Sequence, residues 1–189
     1  MKIIPFSLAA LAVAAMIVSC GSVAENAPQA EQWDISVQIT DLQLEKPRYE
    51  ALIHNSEGGS KQMLEGYTSD YPQDMLESFG NVWQADVNFD GHTDVMICLG
   101  MMPANNHPIT YYDAWLYDPQ TDKFVFHKNF RLICNPQLDD DNQYVLSYVV
   151  LPDGKTKKYI AYAIQNDGTV KKLKEWQVKG KGKNKDKGQ

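Results

Sequence analysis

The sequence predicts an all-β domain: an antiparallel meander, sandwich-like or partly propeller-like, with at most one short helix. Three observations carry this expectation. Short apolar or alternating stretches recur along residues 32–178, bounded by Gly, Pro, Asn or Asp, which is how strands joined by tight turns read. Strand and helix periods do not alternate, so a parallel sheet with crossover helices is not expected. Hydrophobic residues make up 43% of the chain and aromatics 11%, enough for one core without a metal or disulfide framework.

The elements follow in order. Residues 33–39 (WDISVQI) alternate apolar and polar with period two. Residues 48–54 make a weaker strand, and residues 61–66 a third after the turn cluster 56–60. Residues 72–80 spell one or two turns of helix, with Pro72 near the start and Gly80 at the end. Residues 82–85 and 94–99 are apolar strands flanking an Asp/Gly loop. Residues 110–117 pair with 123–127 across the turn Asp118-Pro119-Gln120-Thr121-Asp122. Residues 144–151 and 157–164 flank Pro152-Asp153-Gly154, and Asn166-Asp167-Gly168 leads into 169–178. Segment 100–109 is polar and proline-bearing and reads as a long exposed loop, the kind of segment that often carries function. Tyr111 and Tyr112 follow it as candidate partner-binding anchors. As strand neighbours they point to opposite faces, which equally makes one of them core.

The first residues read differently. Lys2 precedes an apolar run, interrupted by Ser7, that extends to Val18, the pattern of a secretory signal. The run is short for a bilayer span, which takes about 20 residues. It ends at Ile17-Val18-Ser19-Cys20-Gly21, which resembles the lipobox of bacterial lipoproteins. The resemblance implies cleavage after residue 19 and acylation of Cys20. Attachment by more than one acyl chain is stable, at about 0.8 kcal/mol per buried CH₂. Residues 20–31 have no apolar period and read as a flexible tether, residues 32–178 as a single β-rich domain, and the lysine-rich residues 179–189 as a disordered tail. The expected location is the bacterial cell envelope, at the outer membrane facing the periplasm or the cell surface, with the lipid bilayer as a partner through Cys20.

Net charge is −6. Residues 1–19 contribute one positive charge and residues 179–189 four, so the body between them is near −11. Such a body repels phosphates and excludes nucleic acid as the expected target; it favours a cation or a basic protein.

The sharpest motif is Asp86-Val87-Asn88-Phe89-Asp90-Gly91-His92-Thr93-Asp94. Oxygen-bearing side chains fall at positions 1, 3, 5 and 9, glycine stands at position 6, and position 7 offers the His92 carbonyl. Calcium, a hard cation, takes such oxygen cages, and glycine permits the turn that gathers them. The expected ligands are Asp86, Asn88, Asp90, His92 and Asp94, and the expected cofactor is a structural Ca²⁺. Position 12 is Ile97 rather than glutamate, which departs from an EF-hand and resembles the loops of integrin-type propeller repeats. The bland alternative is a polar turn without metal. A second acidic cluster, Asp139-Asp140-Asp141-Asn142, lacks both glycine and alternation and reads as a solvated turn.

Cys98 and Cys134 remain after lipidation. In an oxidising compartment they are a candidate disulfide, closing a loop of about 35 residues and adding roughly 3–4 kcal/mol in the chain-entropy account. The apolar strand around Cys98 fits a buried free thiol equally well. His54, His92, His107 and His127 stand in no metal-ligand spacing with one another or with cysteine. The chain has no G-x-S-x-G, H-E-x-x-H, P-loop or G-x-G-x-x-G, and no enzyme is expected.

The runs Asp86-Val87-Asn88-Phe89-Asp90-Gly91, Asp94-Val95-Met96-Ile97, Tyr112-Asp113-Ala114-Trp115-Leu116-Tyr117-Asp118 and Asn135-Pro136-Gln137-Leu138-Asp139 resemble a group of bacterial envelope proteins. The group includes periplasmic immunity proteins related in fold to lysozyme inhibitors, and many lipoproteins. The resemblance implies a compact β-domain whose exposed loops plug a partner's cleft. The expectation is therefore a membrane-anchored extracytoplasmic binding protein with a structural calcium loop, in its specific form an inhibitor or immunity protein for an envelope hydrolase. The second expectation is a glycan-binding accessory lipoprotein in which Trp115 or Trp176 forms a stacking platform.

Overall fold

The computed structural model describes residues 32–40, 47–54, 60–67, 78–104 and 107–180. The expected signal segment, Cys20 and the tether lie outside the described residues, as do residues 72–77 of the expected helical stretch and residues 181–189 of the tail. The described chain is all-β, in three antiparallel sheets of sequential strands. The first sheet holds β1 (Asp34–Thr40), β2 (Arg48–His54) and β3 (Ser60–Tyr67). The second holds β4 (Val82–Ala85), β5 (Asp94–Ala104), β6 (His107–Asp118) and β7 (Lys123–Phe126). The third holds β8 (Gln137–Asp139), β9 (Tyr144–Val150), β10 (Thr156–Ile164) and β11 (Val170–Lys179).

Two cores make these sheets a three-layer stack with β4–β7 in the middle. Val95, Ile97 and Leu99 of β5 pack with Tyr49, Ala51, Ile53 and Leu64 of the first sheet. Met96 of β5, with Ala114 and Leu116 of β6, packs instead with Val145 and Ile164 of the third sheet. Successive strand residues point to opposite faces, so β5 is covered on both sides, and its unbroken apolar run is what such a strand requires. The outer sheets alternate instead: in β1, Ile35, Val37 and Ile39 pack against the first core while Asp34, Ser36 and Gln38 do not. Each fully buried aliphatic side chain contributes about 1.5–3 kcal/mol.

Amide side chains stitch the layers where strands of different sheets meet. Gln84 accepts from the Trp33 amide at 2.8 Å and donates to the Trp33 carbonyl at 2.9 Å. Gln62 does the same to Phe124, at 2.8 and 2.9 Å. Asn135 accepts from the Thr110 amide at 2.8 Å and donates to the Tyr148 carbonyl at 3.0 Å, joining the second sheet to the third. Each side chain acts as an extra peptide group, so edge backbone is satisfied across a sheet boundary.

One buried charge sits in the first core. Asp113 is fully buried, and Arg131, from a 3-10 helix at Lys128–Leu132, binds both its oxygens with a forked guanidinium, Nη2 lying 2.8 Å from Oδ2. Tyr49 donates to Asp113 Oδ2 at 2.7 Å and accepts from Trp115 Nε1 at 3.0 Å. Burial, then the neighbouring Asp113 charge, pushes the Tyr49 phenol far above its usual range. The Tyr49 ring lies over Gly66, where a Cβ would come within 2.4 Å of it. The network fixes β2, β6 and the 3-10 helix together, because a buried carboxylate stripped of its partners is strongly destabilising.

Several expectations change in the structure. Segment 100–109 is not a long loop: among the described residues β5 runs to Ala104 and β6 starts at His107, and the two pair antiparallel, with Met101 opposite Thr110 and Ala104 opposite His107. Proline is tolerated where the ladder demands no amide donor, and sequence period alone does not show that. Tyr111 and Tyr112 are not free anchors, since Tyr111 packs on the first core and Tyr112 on the second, edge-on to Trp83 at 5.9 Å. Cys98 and Cys134 are free thiols rather than a disulfide. Cys98 is buried in β5 against the Gly100 backbone, whereas Cys134 lies beside Ser147 Oγ at 3.1 Å, so each is held by a different strand. Lys179 belongs to β11 rather than to the tail. The short β8 and the 3-10 helix carried no signal in the sequence.

Candidate functional site

The loop at residues 86–94 joins β4 to β5 at one end of the middle sheet. Its backbone curls because Phe89 and Gly91 both take left-handed conformations, at φ +60° and +90°. Gly91 enters that region without steric cost, and Phe89 is strained there. The curl wraps the chain around the motif's oxygens. Asp86 accepts the Asp90 amide at 3.1 Å and the Gly91 amide at 2.7 Å. Asn88 Oδ1 accepts the Asp90 amide at 3.3 Å, and Asp90 Oδ1 accepts the His92 amide at 3.0 Å. Three of the expected donors, Asp86, Asn88 and Asp90, therefore face one small volume.

A fourth group arrives from elsewhere. Asn166, in the β10–β11 turn, accepts from Asn88 Nδ2 at 2.5 Å and approaches Asp90 Oδ2 with its own Nδ2 at 3.5 Å. Asn88 Nδ2 also donates to Asp90 Oδ2 at 2.7 Å. The sequence analysis missed Asn166: it lies 78 residues from Asn88, and its only local signal, Asn-Asp-Gly, is that of an ordinary turn. The two amides now supply the partial positive charge that Asp90 lacks.

Asp94 does different work from the other expected ligands. It is fully buried; one oxygen accepts the Val87 amide at 3.0 Å and the other the Tyr117 amide at 2.9 Å. Asp94 is thus a clamp beneath the loop, tying both loop ends to β6. Burial pushes its carboxyl up to about 7, and the Asp90 and Asp86 charges push in the same direction. The His92 ring leans edge-on against Tyr117, centroids 5.6 Å apart, which leaves only the backbone carbonyl for the role expected of this residue. The loop exit is anchored by Trp33, whose Nε1 donates to the Thr93 carbonyl at 3.0 Å.

Among the described residues no three His, Cys, Asp or Glu side chains gather as a metal group. The set that converges at the loop is two carboxylates, Asp86 and Asp90, with the side-chain amides of Asn88 and Asn166. Each has oxygen to offer a hard cation, and so low a charge count would set a weak affinity. The donor chemistry fits calcium and no soft metal.

The second acidic cluster closes the β8–β9 hairpin. Asn142 binds Asp139 Oδ1 through its backbone at 3.1 Å and its side chain at 2.8 Å, and residues 140–143 are exposed.

The two aromatics expected as a glycan platform lie on different sheets, Trp115 on β6 and Trp176 on β11. Trp115 is half-buried against the first core and Phe126, with centroids 4.9 Å apart. Trp176 stacks on Tyr159 at 5.5 Å, Tyr159 meets Tyr148 at 5.9 Å, and Lys174 lies 5.0 Å over the Trp176 ring.

Comparisons with known protein families, with curated proteins and with solved structures found no match.

Proposed function

We propose that the chain is a bacterial envelope lipoprotein, cut before Cys20 and acylated there, whose β-domain is a non-catalytic binding module braced by calcium. The lipobox at residues 17–21 supports the anchor. The observation that carries the calcium reading is the convergence of Asp86, Asn88 and Asp90 with Asn166 from a different sheet. A calcium ion there neutralises the two carboxylates and ties the β4–β5 loop of the middle sheet to the β10–β11 turn of the third. The extracellular range of affinity, on the order of 10⁻⁴–10⁻³ M, suits a site of this charge and a compartment where calcium is millimolar. Inhibition of, or immunity to, an envelope hydrolase is the specific form of the binding role that the family resemblance favours.

Two measurements test this. Mass spectrometry of the cell-made protein should find an acylated cysteine at its N-terminus; a product that still begins at Met1 without fatty acyl mass sinks the anchor. Thermal melting should rise with millimolar calcium and fall back with chelator. With calcium at ten to a hundred times its Kd, linkage gives about 1.4–2.7 kcal/mol of stabilisation. A melt indifferent to calcium, in the parent chain and in Asp90→Ala alike, removes the metal.

A further inference from the structure

A groove of about 510 Å³ opens between the β6–β7 turn and the β10–β11 turn, a size within the range of ligand sites. Asp118 and Gln120 line one side, Asn166 and Asp167 the other, with Phe126 and His127 between them. The loop at residues 86–94 meets this groove through Asn166 and through Tyr117, whose amide Asp94 holds.

Three features suit the groove to a particular occupant. His127 is only 2% exposed, and its Nε2 lies 3.1 Å from the Gln165 carbonyl oxygen, so that nitrogen carries the proton. Its Nδ1, buried, has no hydrogen-bond partner among the described residues, and an acceptor left unmet in this way calls for a donor. The lining contains two carboxylates, Asp118 and Asp167, on opposite sides, and no lysine or arginine. The rim is apolar and open: Val125 is 51% exposed, Phe126 39% and, beyond Phe126, Leu132 72%.

We propose that this groove and its rim dock a basic protein partner, which inserts a lysine or arginine side chain between Asp118 and Asp167 and lays an apolar neighbour on Val125 and Phe126. His127 lies beneath that side chain as a buried part of the lining. The charge of the body, near −11, steers such a partner toward the surface. An anion would face two carboxylates. The proposal deepens the binding reading by naming the partner's chemistry, and it depends on neither the anchor nor the metal.

The test is a titration of the full chain with a short peptide of alternating lysine and leucine, beside spermidine and an N-acetylglucosamine tetramer. The peptide should bind best, and more weakly as salt rises. Val125→Arg, a change at an exposed position, should weaken peptide binding about tenfold, and Asp118→Asn with Asp167→Asn several-fold. The charge-matched pair Asp34→Asn with Glu65→Gln, on the first sheet, should leave it unchanged. Equal loss in that control, spermidine bound as tightly as the peptide, or preference for the tetrasaccharide would each overturn the proposal. Peptide binding lost while calcium still raises the melt sinks this surface alone; the reverse sinks the loop alone.

Discussion

The chain has two acidic stretches, and they behave as opposites. In residues 86–94, acids alternate with apolar residues, Val87 is buried in the second core, and a glycine turns the chain back on itself. In residues 139–142 the acids are consecutive, and all but Asp139 are exposed. The contrast reaches the carboxyls. Burial raises Asp94 to about 7, whereas hydrogen bonds from Asn142 and Tyr144 hold Asp139 below its usual value. Acid content does not make a site. Alternation drives one face of the segment into the core, and the oxygens are then gathered instead of solvated.

Substitutions can break this contrast, and the largest effect belongs to the clamp. Asp94→Ala leaves the Val87 and Tyr117 amides without their carboxylate and should cost about 2–4 kcal/mol, read by chemical denaturation; a loss below about 1 kcal/mol would mean that the loop stands without it. Next comes Asp90→Ala, which should abolish the calcium-dependent rise in melting while changing the calcium-free melt little. Asn166→Ala should lower the calcium-free stability by about 0.5–1 kcal/mol and weaken calcium several-fold by titration calorimetry; unchanged calcium affinity would confine the site to the β4–β5 loop. Smallest is Asp140→Ala in the other stretch, expected to move the melting temperature by less than about 2 °C with or without calcium. An effect there as large as at Asp90 would erase the distinction between the stretches.

Much of this was legible in sequence. The strand positions followed from period two and turn residues, and β2 and β4 match their expected bounds. The motif at residues 86–94 was visible because its oxygen-bearing side chains, glycine and spacing are local. The hairpin through residues 100–109 was missed because its prolines and polar residues resemble a loop until strand pairing places them. Tyr111 and Tyr112 each pack partly on a different core, because a strand with a core on either face sends consecutive side chains to both, and nothing local says that a sheet has two neighbours.

What the sequence alone determined is the all-β class, most of the strands, the turn chemistry and the one loop able to gather oxygens, because each depends on residues within a few positions of one another. The tertiary structure alone decided that the middle sheet is covered twice, that Asp94 serves as a clamp, that Asn166 joins the loop and that the two cysteines stay apart. Those outcomes depend on which surfaces meet after the strands have formed, and the free energy of that meeting comes from pairs of residues far apart along the chain.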